Sequence, residues 1–130
     1  MPPSTADYLG ADTTDHVAIG TPASQAAAGV RHIVGTDPSD LSVKVAAELA
    51  PIGGIVAVAS QAAFADALAG GPYIAMLGGP LLLTDPQTLS APAQAAIESA
   101  ADSLREVVIF GGTAAVSTAA EQAIATALGQ

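Results

Sequence analysis

His16 and His32 are the two histidines of this chain, the residue type most often used as a general base, and the sequence arms neither of them. They stand far apart, and the spacings around them do not spell a zinc site. His16 follows Asp15 in a polar stretch and reads as a loop histidine. The chain has no cysteine, which excludes disulfides, thiolate zinc sites and cysteine nucleophiles. Serines are common, but no Gly-x-Ser-x-Gly elbow occurs and no histidine is placed to serve one as a base. Glycine pairs stand at 53–54, 70–71, 78–79 and 111–112. The run from Gly111 and Gly112 to Ser117 has the position of a phosphate-cradling loop. It lacks both the Gly-x-Gly-x-x-Gly spacing and the lysine of a P-loop, so a tight turn is the simpler reading. Asp66 lies where ligands meet the carboxyl edge of a parallel sheet. It could bind a ligand hydroxyl, and it could equally cap the free amides of its own helix. Ser60 and Thr84 end two neighbouring apolar runs. With Asp66, Asp85 and the Gly111–Gly112 turn they make a polar rim without a tuned base, which suits sugar or polymer binding better than turnover.

These residues need elements to hold them. Short apolar runs at 17–19, 33–34, 55–59, 81–83 and 107–110 read as strands, apolar on both faces as in a buried parallel sheet. Helices are expected over 39–49, 64–77, 90–101 and 117–128. The first carries Leu41, Val45 and Leu49 at helical spacing, and the second Phe64, Leu68 and Ile74. Gly70-Gly71-Pro72 should break or kink that second helix. Ser90 and Ser117 stand at N-cap positions, with Pro92 in the first turn of one helix and Glu121 in the first turn of the other. Strand and helix in alternation predict a three-layer α/β fold. Its core is a short parallel sheet of four or five strands flanked by helices, flavodoxin- or Rossmann-like. Residues 1–15 read as a flexible arm and 16–130 as the folded module.

Composition narrows the partners. Twelve acids against three bases give a net charge of −9. Arg31, Lys44 and Arg105 are the only strong cations, too few for a nucleic-acid footprint or an anionic membrane surface. No run is long enough to span a bilayer, and the first residues do not resemble a signal peptide. Aromatics make up only 3% of the chain, so the core must come from Ala, Val, Leu and Ile, or from burial against other copies. No cofactor is indicated. One internal echo is present. The stretch from Val17 through Gly20 to Ala27 loosely matches that from Ile109 through Gly111 to Ala120: apolar strand, glycine, short turn, Ser and Ala-rich helix.

Three motifs in order then carry a resemblance. Val58-Ala59-Ser60 leads into Phe64-Ala65-Asp66-Ala67-Leu68-Ala69 and Pro72. Pro80-Leu81-Leu82-Leu83-Thr84 follows, and Val108-Ile109-Phe110-Gly111-Gly112-Thr113-Ala114-Ala115-Val116-Ser117 comes last. Together they resemble the bacterial cell-wall-binding repeat 2 family over about residues 32 to 128. The resemblance implies a non-catalytic α/β module that anchors exported proteins to an anionic cell-wall polysaccharide, at the cell wall or outside the cell. It also implies modules acting in threes, here as a homotrimer. The expected polymer-binding set is Ser60, Asp66, Pro80, Leu81, Leu82, Leu83, Thr84, Gly111, Gly112, Ser117, Arg31 and Asp37. Core packing is the plain reading of Leu82. The family's opening motif is altered. His32 stands at its first Arg, and Pro38, Ser39 and Leu41 replace an Arg, a Tyr and a Thr. Loss of those groups motivates an alternative: a structural, assembly or receptor domain that no longer binds polymer.

Overall fold

The computed structural model describes residues 16–27 and 29–130, so the expected arm at 1–15 lies outside the described residues. The elements run β1 (Val17–Ile19), α1 (Thr21–Ala26), β2 (Arg31–Ile33), α2 (Pro38–Leu49), β3 (Ile55–Ser60), α3 (Phe64–Met76), β4 (Leu81–Thr84), α4 (Ala91–Ala100), β5 (Glu106–Phe110) and α5 (Thr118–Ala127). All strand pairs are parallel, which makes the fold α/β as the alternating pattern predicts. The strands form two sheets, however, one of order β4-β3-β5 and a separate pair β1-β2.

The reason for the split lies at β4. Its outer edge is taken by α2, whose Ser42 hydroxyl accepts the Leu83 amide at 2.9 Å. That hydroxyl in turn donates to the Ser39 carbonyl at 2.7 Å. A helix therefore occupies the place where a further strand would pair.

Period-2 alternation divides the main sheet into two faces. Val56, Val58 and Leu82 face a core with Ala46 of α2, Ala93 and Ile97 of α4, and Ile124 and Ala127 of α5. Ala57 and Ala59 are in register with Leu81 and Leu83 on one side and with Val108 and Phe110 on the other, so these six share the opposite face. α3 covers that face alone. Gly70 allows it close: a Cβ there would stand 2.4 Å from the Phe110 ring. Tyr73 closes edge-on against the same ring, with centroids 6.1 Å apart.

Of the break or kink expected at Gly70-Gly71-Pro72, a break does not occur, and α3 runs through the segment. Pro72 removes the amide that would bond the Leu68 carbonyl, but Leu68 is exposed and water can satisfy that oxygen. Of the three apolar residues read onto this helix, only Ile74 is buried; Phe64 is 72% exposed and Leu68 65%. On α2 the core face is Ser39, Val43 and Ala46 rather than Leu41, Val45 and Leu49.

Candidate functional site

The uncovered part of the α3 face forms a groove of about 770 Å³ between α2 and α3, closed at one end by the β1–α1 turn. Leu81 and Leu83 form its floor, Leu41 and Val45 one wall, and Phe64 and Leu68 the other. α2 thus serves two sites, because residues 41 and 45 are rotated by roughly 150° from 39, 43 and 46 on the helix. β4, with Pro80 before it, serves two sites as well. Leu82 and Thr84 are wholly buried, whereas Leu81 and Leu83 are half-buried along the groove. Ser60, Gln61, Asp37 and Pro80 also border it, so the groove opens beside the carboxyl edge of the sheet.

That edge is the polar rim expected from sequence, but its hydroxyls are used internally. Thr84 Oγ1 donates to the Thr88 carbonyl at 3.1 Å and accepts the Ser90 amide at 2.8 Å. Ser60 is fully buried and its Oγ accepts the Ala62 amide at 3.1 Å. Ser117 caps α5 by accepting the Ala120 amide, and its hydroxyl donates to the Gln87 carbonyl at 3.0 Å. The Ser117 amide also donates to the Pro86 carbonyl at 2.8 Å. These bonds tie the β4–α4 loop to the β5–α5 loop. Ser90 stands at an N-cap position without capping; its Oγ accepts the Asp85 amide at 2.9 Å.

The Gly111 turn has φ +100, which strains any residue with a Cβ. A Cβ at Gly111 would lie 2.7 Å from Asp66 Oδ2. The Asp66 carboxylate therefore lies close against this turn, and like charge would oppose a phosphate bound there.

Asp37 caps α2, its Oδ1 accepting the Asp40 amide at 2.9 Å. Asp40 Oδ2 in turn accepts the Thr36 amide at 2.9 Å and pairs with Lys44 at 2.8 Å. The Lys44 hydrogen bond, followed by the Thr36 amide, holds the Asp40 carboxyl below the usual aspartate range. Arg31 pairs with Glu48 at 3.1 Å, on β2 and away from the rim. Arg105 precedes β5 and lies over Gly54 at the opposite, amino edge of the sheet.

The expected polymer-binding residues therefore separate. Ser60, Asp66, Thr84, Gly111, Gly112, Ser117 and Asp37 border the carboxyl edge, Leu81 and Leu83 line the groove, Leu82 and Pro80 are buried, and Arg31 stands apart. The rim gathers Asp37, Asp66 and Asp85, whereas Arg31 pairs with Glu48 and Lys44 with Asp40. Sequence reasoning missed Phe64, Leu41 and Val45 as groove walls, because an apolar stripe at helical spacing looks the same whether it faces a core or a groove. Among the described residues no three His, Asp or Glu side chains group to hold a metal ion, and no helix is long and apolar enough to cross a membrane.

Comparison with known proteins agrees with this fold. The family described as Cell wall binding domain 2 (CWB2) matches residues 32–121. No curated protein matches the chain. Among solved structures, Cwp8 from Clostridium difficile is similar in fold, with a TM-score of 0.70 at 22% identity over 87% of this chain. The chain spans 20% of that protein's length.

Proposed function

We propose a function from one premise: the chain belongs to the cell wall binding domain 2 family. It is a non-catalytic attachment module that works at the cell wall, outside the cell. Its ligand is an anionic wall polysaccharide, and it acts as an assembly of copies, three by resemblance. The observation that carries this reading is the strand β4 (Leu81–Thr84). One side of it is locked in the core and the other floors an open apolar groove beside a polar rim. Such a strand gives a rigid base to whatever is held above it, and rigid support is what a binding site needs more than reactivity. The rim has hydroxyls and carboxylates but no nucleophile–base pair, which fits binding without turnover.

Co-sedimentation tests the reading. The protein should pellet with purified Gram-positive walls and fail to pellet with walls stripped of phosphate-linked polymers by hydrofluoric acid. Pelleting with neither preparation overturns it. A groove variant sharpens the result. Phe64→Ser with Leu68→Ser should reduce pelleting while leaving the melting temperature nearly unchanged, since both side chains are exposed.

A second reading is favoured by a specific observation. The rim is acidic, and Arg31 and Lys44 are already paired with carboxylates. With a net charge of −9, a polyanion would meet repulsion at this edge. On that reading the chain is an assembly or receptor domain that has lost polymer binding. It would assemble by light scattering and pellet with no wall preparation.

A further inference from the structure

We propose that the open edge of β5 pairs in parallel with β2 of a second copy, in the position that β1 takes within one chain. The segment β1–α1 is then a displaceable plug. This deepens the reading that copies assemble and rests on it.

The argument starts from an unguarded edge. Among the described residues β5 pairs only with β3, and its other edge has no strand. Natural sheets blunt such edges with proline, charge or a covering element. β5 reads Glu-Val-Val-Ile-Phe, without proline and with its one charge at the first residue. The other edge of the same sheet is sealed by Ser42, so the contrast lies within one molecule. A cavity of about 390 Å³ lies between β5 and α5, lined by Val107 and Ile109 below and by Ile124 and Leu128 above. The helix that would roof an added strand already stands there.

The occupant is argued from β2. This three-residue strand lies outside the main sheet and takes β1 as its partner. β1 and β5 are built alike. Each ends in a glycine of positive φ, Gly20 at +84 and Gly111 at +100, and each leads on to a helix. The sequence echo between the two stretches is the same likeness seen in residues. Superposing the two glycines sets Val17, Ala18 and Ile19 on Val108, Ile109 and Phe110. In the observed β1–β2 register these face Arg31, His32 and Ile33. Glu106 is exposed and lies two residues before Val108, hence on the same face and diagonal to Arg31. The one charge of β5 would thus meet the one strong cation of β2.

The plug is weakly held. α1 has six residues, buries none of them and lacks a side-chain cap. A two-stranded sheet is marginal by itself. β5 offers β2 a strand already fixed in a larger sheet, so exchange gains burial while the register is kept.

The chain has no native cysteine, so engineered thiols report alone. In the full chain, Ala18→Cys with His32→Cys should cross-link within one molecule. The lock should weaken assembly, measured by light scattering, at least tenfold, and reductant should restore it. His32→Cys with Ile109→Cys should cross-link between molecules through a short thiol-reactive linker. Arg31→Cys with Val108→Cys provides a second register pair should the first perturb folding. His32→Cys with Gln94→Cys sets the background. Interchain cross-linking no higher than background in both register pairs overturns the proposal. Undiminished assembly of the locked protein also overturns it, but leaves the assembly reading standing. A wild-type chain that stays monomeric at all concentrations overturns both.

Discussion

A single methyl group separates two neighbouring glycines on α3. At Gly70 an added Cβ meets the Phe110 ring at 2.4 Å, while at Gly71 nothing lies within 4 Å. Gly70→Ala should therefore lose about 1–3 kcal/mol by forcing helix and sheet apart. Gly71→Ala should be neutral or gain up to about 1 kcal/mol from helix propensity. Urea midpoints of the two variants decide the point; equal midpoints would refute the packing argument. Thr84 makes a parallel case. Thr84→Val keeps the shape but leaves the Ser90 amide and the Thr88 carbonyl without their partner. A loss of about 1–3 kcal/mol is expected in the same assay, with the β4–α4 loop opening first in hydrogen exchange. The hydroxyls of Ser60, Thr84 and Ser117 were legible as a group at strand and helix ends. Their partners were not, because these are backbone atoms of loop residues such as Gln87 and Thr88, which carry no signal of their own.

At the scale of elements, the start of α2 is held by carboxylates. Asp40 is depressed below its ordinary range by Lys44 and by the Thr36 amide. A depressed carboxyl stabilises the fold above the unfolded-state value and loses that contribution as pH falls through its folded-state value. Asp40→Asn should therefore narrow the stability difference between neutral pH and about pH 3, read from urea midpoints at the two pH values. An unchanged difference would show that Asp40 does not feel its partners. The helices and strands themselves were legible because apolar runs and cap residues are local signals. Asp37 and Ser117 cap as their types suggest, and 55–60, 81–84 and 106–110 pair as buried strands. The division into two sheets was not legible. It depends on Ser42 reaching Leu83 across 41 positions of chain, and no local pattern encodes that reach. α3 continues where a break or kink was expected, because the tertiary contact of Gly70 with Phe110 holds the helix on the sheet through Pro72.

For the whole molecule, charge and apolar surface oppose each other. A net charge of −9 repels copies, whereas Phe64, Leu68, Tyr73 and Met76, with Leu77 just beyond, leave α3 broadly apolar toward solvent. Salt should tip the balance. Raising ionic strength from about 0.01 M to about 0.15 M shortens the screening length from about 30 Å to about 8 Å. The assembled fraction should rise with it in light scattering at fixed protein concentration. A fall would mean that attraction between charges, not burial of apolar surface, joins the copies. The Ser42 hydroxyl has a further consequence. With one margin of the sheet shut and the other unshut, the molecule has polarity, a giving end and a receiving end. Under the pairing proposed above, every joint would use two unlike surfaces, so units would follow one another head to tail, closing as a ring when the turn per unit allows and running on as a fibre when it does not. Removing that hydroxyl with Ser42→Ala would leave the Leu83 amide without its acceptor while α2 still covers that margin, so the variant should lose stability in urea and keep the size of the assembled species.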